Sequence, residues 1–210
     1  MKEYKNVVFR RPKDAGIAPV WDKNCKVLML GSITATDGMN KGFYYASNKN
    51  QLWQLLDIVL NTNCFSALKE KLKTNFEDFK TNKISQAEFE QNREQIRSQF
   101  SVELLKRKIA ICDVFCECYF NNNSSMDIDI ILNNKDFPFK TSKEILQNII
   151  DNSQIKTIVV NSKFVESQLR KMKLSGDFEV KYVISPSPRR GSIDKKIENW
   201  KQVFSLLKDI

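Results

Sequence analysis

The run "KVLML" (Lys26 to Leu30), followed directly by Gly31 and Ser32, is the strand signal on which the fold prediction depends. After Lys26 its side chains are apolar without polar alternation, which is typical of a strand buried on both faces of a parallel sheet. Two later runs have the same character, and a fourth is rich in β-forming residues but more mixed. These runs are "KIAICDVF" (Lys108 to Phe115), "KTIVVN" (Lys156 to Asn161) and "FEVKYVI" (Phe178 to Ile184).

Segments with helical periodicity separate these runs and follow the last of them. They cover Asn50 to Leu60, Ser142 to Asp151, Ser162 to Met172 and Ile193 to Leu207. The alternation of strands and helices predicts the α/β class, with a parallel sheet covered by helices on both faces.

The segment from Ser66 to Lys106 interrupts this alternation between the first two strands. It includes "KEKLKTNFEDFKTNKISQAEFEQNREQIRSQF", in which sparse phenylalanines, leucines and isoleucines recur at helical spacing among many charged residues. We predict an amphipathic, largely solvated helical insertion there, and its basic surface is a candidate site for a protein partner. Polar loops are predicted at "NNNSSMD" (Asn121 to Asp127) and at "LNNKDFPF" (Leu132 to Phe139).

Length and composition narrow the class of protein. The chain has 210 residues and 41% apolar residues, which fits a single domain over residues 1–210 with a core of its own. No apolar run is long enough to span a membrane, and the charged N-terminal segment lacks a secretory signal, so we expect a cytoplasmic protein. Its five cysteines are then expected to be free thiols. The formal net charge of +9 favours nucleic acid as a partner, although a lysine-rich solvated surface gives the same charge.

The sequence contains no histidine, which excludes Ser-His-Asp triads, histidine metal ligands and histidine general bases. Cysteine ligands are an alternative, but the C-x3-C-x-C spacing of Cys112, Cys116 and Cys118 is not a usual zinc pattern. A core strand explains these cysteines more simply. A phosphate cradle at "LGSITATDG" is disfavoured because the loop lacks the Gly-Lys-Ser/Thr ending of a P-loop. We therefore predict no metal and no cofactor.

Ligands of open α/β sheets bind beyond the carboxyl ends of the strands. Four segments follow the predicted strands, and we expect them to meet at that edge of the sheet. They are "GSITATDGMNKGFYYASNKN" from Gly31, "DVFCECYFNNNSSMD" from Asp113, "NSK" from Asn161 and "SPSPRRGS" from Ser185.

The stretch "GFYYASNKNQLW" (Gly42 to Trp53), which begins in the first of these segments, combines three adjacent aromatics with amide side chains. A nucleobase flipped out of DNA needs an aromatic face for stacking and hydrogen-bonding groups for its Watson–Crick edge. Candidates for these roles are Phe43, Tyr44 and Tyr45 for the face, and Asn48 and Asn50 for the amides. The alternative is that one or two of the aromatics belong to the core and that Asn50 is the N-cap of the following helix.

Five blocks together resemble the uracil-DNA glycosylase superfamily, most closely the hypoxanthine-DNA glycosylase type, which is related to the mismatch-specific uracil glycosylases. The resemblance runs from about Lys26 to Trp200 and is interrupted by the insertion from Ser66 to Lys106. Its most specific feature is an aromatic pair followed by Ala, three residues, Asn, two residues and Trp. The blocks are "VLMLGS", "GFYYASNKNQLWQLL", "IAICDVF", "IKTIVVNSK" and "VISPSPRRGSIDKKIENW".

The resemblance implies roles for particular residues. Tyr45 matches the aromatic residue that stacks on the extruded base, and Asn50 matches an Asn that this branch uses in catalysis. Asn161 and Lys163 match the end of the third strand beside the pocket, and Ser185 to Gly191 matches a loop that enters the minor groove. The predicted base-binding residues are Ser32, Phe43, Tyr44, Tyr45, Asn48 and Asn161, and the predicted DNA-binding residues are Lys163, Ser185, Ser187, Arg189, Arg190 and Ser192.

Two carboxylates, Asp37 and Asp113, are candidates to orient an attacking water. Asp113 is the better placed because it follows an apolar strand, although a buried Asp that caps a loop is the structural alternative. Asn50 and Asp113 are therefore the predicted catalytic residues.

The resemblance also implies a three-layer α/β/α fold with a four-stranded parallel sheet, and cleavage of the N-glycosidic bond of a damaged base without a metal. Three positions differ from patterns common in the superfamily. The loop "SITATDG" lacks a polar-Pro pair, Ser47 and Asn48 replace a His-Pro pair, and Ser185 stands where several families keep His or Asn. The sequence thus predicts a monomeric DNA glycosylase acting on uracil or hypoxanthine. A module that binds a base, a nucleotide or DNA without hydrolysis stays open as the alternative.

Overall fold

The secondary structure of the chain follows a βα alternation with one long helical interruption. A computed structural model describes residues 7–121, 130–131 and 136–205. The strands are β1 (Val7–Arg10), β2 (Val27–Gly31), β3 (Ile109–Asp113), β4 (Phe115–Asn121), β5 (Ile130–Ile131), β6 (Lys140–Thr141), β7 (Thr157–Val160) and β8 (Glu179–Tyr182). The helices are a short 3-10 turn (Pro12–Ala15), α1 (Thr36–Lys41), α2 (Leu52–Val59), α3 (Cys64–Lys80), α4 (Gln86–Lys106), α5 (Lys143–Asp151), α6 (Lys163–Met172) and α7 (Ile193–Ser205).

Four strands form a parallel sheet in the order β3-β2-β7-β8. Val27 of β2 is the register partner of Ile109 on one side and of Thr157 on the other. The central strands β2 and β7 are buried along their whole length, whereas the edge strand β8 is largely exposed. The exposure of β8 accounts for the mixed composition of the fourth run, since β3, the other edge strand, is buried along its whole length and has an apolar run.

Alternate residues of the sheet enter two separate apolar cores. Val27 and Met29 pack with the helices α2, α3, α4 and α7, while Leu28 and Leu30 pack with α5 and α6. Since successive side chains of a strand point to opposite faces, the continuous apolar runs are the expected sequence of such a double-sided sheet. The predicted α/β fold, with a four-stranded parallel sheet flanked by helices, is confirmed.

The helices α3 and α4 form a hairpin over the segment predicted as a helical insertion. Its second helix begins with a capping box, in which the Ser85 hydroxyl accepts from the Glu88 N–H at 3.2 Å and the Glu88 carboxylate accepts from the Ser85 N–H at 2.8 Å. The predicted helices are present, but the face that carries Leu72 and Phe100 is buried rather than solvated. Phe100 is fully buried and stacks on Phe43 with the ring centroids 4.5 Å apart. The hairpin is therefore a wall of the first core rather than an addition to its surface.

A second, antiparallel sheet was not predicted. In it β4 pairs with β1 and β5, and β6 also pairs with β4. The run from Lys108 to Phe115 was predicted as one strand, but the parallel strand ends at Asp113 and a new strand begins at Phe115. The main chain redirects there because the Val114 N–H donates to the Gly31 carbonyl at 2.8 Å and the Phe115 N–H donates to the Ser32 carbonyl at 2.9 Å.

Asn121, the first residue of the predicted polar loop, belongs to strand β4, so the loop prediction is wrong at this residue. The remainder of the predicted loop "NNNSSMD" and the first four residues of "LNNKDFPF" lie outside the described residues. Within the described part of the chain, no helix has both the length and the apolar character needed to cross a membrane.

We expect Phe100→Ala to lower the free energy of unfolding by about 3–5 kcal/mol, because the substitution leaves a cavity among stacked rings in the first core. The matched control is Val102→Ala on the same helix, where Val102 is 57% exposed and the expected change is within about 0.5 kcal/mol. Urea denaturation of both variants measures the difference. Equal, small effects at the two positions would show that the hairpin does not share the core.

Candidate functional site

A cleft of about 1240 Å³ lies at the carboxyl edge of the parallel sheet. It is bounded by the loop after β2, the segment between α1 and α2, the start of α6 and the loop between β8 and α7. Asp113, the last residue of β3, contributes to its floor. The residues that line it include Ser32, Thr34, Tyr45, Asn50, Asp113, Asn161, Lys163 and the loop Ser185 to Gly191.

The floor of the cleft is built around Gly31, the last residue of β2. A β-carbon at this position would lie 2.4 Å from the Tyr45 hydroxyl oxygen and 2.5 Å from Asp113 Oδ1. Only a residue without a side chain allows both oxygens to approach the strand end so closely. Asp113 is 5% exposed, and its Oδ2 accepts a hydrogen bond from the Thr34 hydroxyl at 2.8 Å.

Tyr45 is held in an uncommon backbone conformation, with φ of 50°. Its half-buried ring lines the cleft, and its hydroxyl oxygen accepts from Asn161 Nδ2 at 2.6 Å. A bulky residue with positive φ costs free energy and persists only where surrounding contacts enforce it. The contacts over Gly31 and with Asn161 supply that enforcement and fix the position of the aromatic ring.

Asn50 lines the cleft and also acts in place of an N-cap for α2. Its side-chain oxygen accepts from the N–H of Leu52, the first residue of α2, at 2.9 Å, whereas the N-cap position itself is occupied by Gln51. Its carbonyl oxygen accepts from the ammonium group of Lys69 on α3 at 2.5 Å, and Lys69 also donates to the Asn48 carbonyl at 3.0 Å. The helical hairpin therefore determines where this segment of the cleft wall lies.

A second polar network supports the same segment from α1. Asp37 accepts from the buried Lys41 ammonium at 2.6 Å and from the Asn48 N–H at 3.1 Å. Burial acts to raise the pKa of Asp37, but the hydrogen bond and charge of Lys41 and the Asn48 N–H outweigh it. The net result is a lowered pKa. Asp37 is thus an ionised structural group and does not line the cleft.

The loop from Ser185 to Gly191 forms one rim of the cleft. Ser185 Oγ accepts from the Ser187 N–H at 3.3 Å, and the Arg190 N–H donates to the Ser187 carbonyl at 3.1 Å. Arg189 and Arg190 are exposed on this loop, and Lys163 is exposed at the start of α6. The cleft mouth is therefore bordered by cations on two sides.

Four residues predicted for base or DNA binding do not line the cleft. Phe43 and Tyr44 are each 3% exposed and belong to the first core, where burial raises the pKa of Tyr44 well above its usual value. A base in the cleft could not stack on their rings, so these two predictions are wrong. Asn48 is exposed and holds the cleft wall through its main chain, and Ser192 is exposed just beyond the loop.

Two residues that the sequence predictions missed are Thr34 and Lys69. Thr34 lies in the loop after β2, and its position three residues beyond Gly31 was a usable signal. Nothing in the sequence indicated Lys69, because its contact with the Asn50 carbonyl arises only from the packing of α3.

The five cysteines are free thiols. Burial raises the pKa of Cys25 to about 11, and it also raises the pKa of Cys112 and of Cys116. Because the thiolate is the form that binds metals, raised pKa values disfavour ligation by these groups. Among the described residues, no three Cys, Asp or Glu side chains are grouped as metal ligands.

Comparison with solved structures gives a match over nearly the whole chain. It is to the solution NMR structure of a putative uracil DNA glycosylase from Methanosarcina acetivorans, with a TM-score of 0.56 and 20% sequence identity. The match covers 96% of this chain and 99% of that one. No protein-family model matches the sequence, and no curated protein matches it. The two chains therefore share a fold.

We expect Gly31→Ala to destabilise the protein by about 1–3 kcal/mol, because its methyl group would overlap the Tyr45 hydroxyl and Asp113. Adding Tyr45→Phe removes the closest overlapping atom. The double variant should therefore be more stable than the sum of the two single changes predicts. Thermal unfolding of the four proteins in this double-mutant cycle measures the coupling, and purely additive effects would contradict the close approach over Gly31.

Proposed function

We propose that the protein is a DNA glycosylase of the uracil-DNA glycosylase superfamily. In this proposal the whole chain acts as one domain and hydrolyses the N-glycosidic bond of a deaminated base, uracil or hypoxanthine, flipped out of DNA. The observation that carries the proposal is that Tyr45, Asn50, Asp113 and Asn161 line one cleft beneath a rim of cations. The shared fold with the Methanosarcina acetivorans protein supports it.

The flipped base would stack on the Tyr45 ring, whose position is fixed by its hydroxyl contacts. Stacking of a base on an aromatic side chain contributes about 1–3 kcal/mol in other single-strand binding sites. Asn161 donates one N–H to Tyr45, and its second N–H and its carbonyl oxygen would pair with the edge of the base. A volume of about 1240 Å³ accommodates either a pyrimidine or a purine.

Hydrolysis places negative charge on the base and positive charge on the sugar. When the N-glycosidic bond breaks, its electron pair goes to the base, and water then forms the new bond to the sugar carbon. Asn50 would donate its amide N–H groups to the departing base or to the water, because its oxygen is already held by the Leu52 N–H. The Asp113 carboxylate would stabilise the positively charged sugar and accept the proton that the water loses.

The rim loop would occupy the space that the base leaves in the duplex. Its two prolines, Pro186 and Pro188, restrict the main chain, and a stiff loop with adjacent cations suits a duplex missing one base. Arg189, Arg190 and Lys163 would contact phosphates, and Ser185 and Ser187 would follow the minor groove.

We expect Asn50→Ala to slow single-turnover excision by about 10²–10³-fold, the usual cost of removing one donor to a developing anion. Binding to lesion DNA should change far less. The same substitution should lower stability by about 1 kcal/mol because the capping bond to Leu52 is lost. The matched control is Asn48→Ala, which removes an exposed amide outside the cleft and keeps the main-chain contacts of residue 48.

The assay uses duplexes with a single uracil, hypoxanthine or xanthine, and it detects alkali-labile abasic sites. An Asn50→Ala variant that melts earlier yet cuts at the normal rate would leave Asn50 as a helix cap only. If wild-type protein yields no product but binds lesion duplexes, the alternative of a binding module without hydrolysis is correct. The engagement of the Asn50 oxygen by Leu52 is the observation that favours this alternative.

We expect the double substitution of Arg189→Ala and Arg190→Ala to weaken DNA binding. It should also reduce the slope of log affinity against log salt concentration by about one to two, because each lost phosphate contact lowers the slope by about 0.9. The control replaces Lys71 and Lys80 by Ala, two exposed cations on α3, which does not line the cleft. Binding titrations over a range of salt concentrations test this. The same slope in the arginine variant and in wild type would remove the loop from the interface.

A further inference from the structure

Lys196, in the first turn of α7, is buried without any exposed surface. Its ammonium group donates to the Gln51 side-chain oxygen at 2.6 Å and to the Ser187 carbonyl at 2.6 Å. Both acceptors are neutral, and burial lowers the pKa of Lys196. The lysine therefore carries a cation into the protein interior to bind two amide-type oxygens.

This placement is unfavourable for stability in two respects. A buried charge that is not paired with an opposite charge loses hydration that neutral hydrogen bonds restore only in part. A cation in the first turn of a helix also opposes the positive end of the helix dipole. An apolar side chain of similar length would fill the same volume without either cost. The position of Lys196 is better explained by what its ammonium group holds.

The ammonium group holds the tip of the rim loop. The Ser187 carbonyl accepts from Lys196 and also from the Arg190 N–H, at 3.1 Å, so the lysine binds the oxygen that closes the turn carrying the two arginines. The preceding carbonyl, of Pro186, accepts from the Gln51 N–H at 3.0 Å. Two successive carbonyls of the loop are thereby connected to Gln51, one directly and one through Lys196.

Two further residues of α7 hold the start of the same loop. Asn199 Oδ1 accepts from the Ile184 N–H at 2.7 Å, and the indole N–H of the buried Trp200 donates to the Ile184 carbonyl at 2.8 Å. Lys196, Asn199 and Trp200 are spaced as i, i+3 and i+4, so they lie on one face of the helix. That face of α7 therefore holds the loop through three side chains.

We propose that Lys196 is a positioning residue, which fixes the tip of the Ser185 to Gly191 loop against Gln51 before any DNA is bound. Gln51 directly follows Asn50, so the contact also sets the distance between the loop and the cleft wall. The presetting of the loop follows from the contacts alone, whereas its consequence for excision rests on the proposed function. A preset loop avoids the free energy of ordering it at the moment of binding.

The first test measures the loop without DNA. Lys196→Met removes the ammonium group and keeps an unbranched apolar chain, and Lys195→Met removes an exposed cation from the neighbouring position. We expect trypsin to cleave after Arg189 and Arg190 about tenfold faster or more in the Lys196 variant, since a hydrogen bond from a charged donor has been lost. Cleavage at other sites, followed by mass spectrometry well below the melting temperature, should not change.

The control variant and the cleavage pattern distinguish a local effect on the loop from global unfolding. Lys195→Met should match wild type, because its side chain does not hold the loop. Unchanged cleavage of the loop in the Lys196 variant would overturn the proposal, as would faster cleavage everywhere, which reports global unfolding. If Lys196→Met does not fold, Lys196→Gln replaces it, because the shorter neutral side chain loses the charge but tolerates a polar site.

The second test measures excision and separates this proposal from the proposed function. We expect Lys196→Met to slow single-turnover excision, and the loss of Arg189 and Arg190 should then have a smaller additional effect than it has in wild type. Normal excision by a variant whose loop is cleaved rapidly would overturn the positioning role. If wild-type protein excises no base while the loop opens only in the Lys196 variant, the presetting stands and the glycosylase proposal fails.

Discussion

At the carboxyl end of β2, the Tyr45 hydroxyl and the Asp113 carboxylate lie so close to Gly31 that a β-carbon there would be 2.4 Å and 2.5 Å from their oxygens. Gly31 and Asp113 are register partners on adjacent parallel strands, so the carboxylate belongs to the sheet edge itself. The Val114 N–H bonds to the Gly31 carbonyl and leads the chain out of the parallel sheet into β4. The end of β2 therefore fixes the position of the Tyr45 ring, the position of the Asp113 carboxylate and the point where the chain leaves the parallel sheet.

The hairpin of α3 and α4 also holds the segment that carries Tyr45. Phe100 stacks on Phe43, and Arg97 donates to the Gly42 carbonyl at 2.5 Å, so α4 holds the start of the segment that leads to Tyr45. Lys69 on α3 holds the end of that segment through the Asn50 carbonyl. A segment fixed at both ends by rigid helices can keep Tyr45 at positive φ, because relaxing that residue would break contacts on either side.

The parallel sheet could be predicted from the sequence because strands buried on both faces are continuous apolar runs, and the helical spacing between them is equally plain. The cleft edge followed from the rule for open sheets. The sequence did not show which rings of "FYY" face the core and which face the cleft, because three adjacent aromatics have no periodicity. In the structure Phe43 and Tyr44 are buried and Tyr45 lines the cleft. The end of β3 at Asp113 was also hidden, because Val114 and Phe115 continue the apolar run although Phe115 begins β4 and pairs with Thr141.

The distribution of positive charge shows a further limit of the sequence. A net charge of +9 suggests a polyanionic partner or a solvated surface. Three of the cations also have a structural role, which net charge does not indicate. Arg97, Lys69 and Lys196 each donate to main-chain carbonyls of the segments that surround the cleft. Irregular segments leave carbonyls with unused hydrogen-bonding capacity, and long cationic side chains reach them from neighbouring helices.

Such cations have an electrostatic consequence beyond holding the loops. Charges beneath a partly buried surface act through a medium of lower dielectric constant than water, so their field reaches further than that of an exposed lysine. These cations would favour phosphates outside the cleft and a departing anionic base within it, which are the two negative charges of the proposed reaction, whereas the Asp113 carboxylate on the floor acts in the opposite sense. The contacts that give the cleft its shape therefore also place cations around it, and one set of side chains serves both purposes.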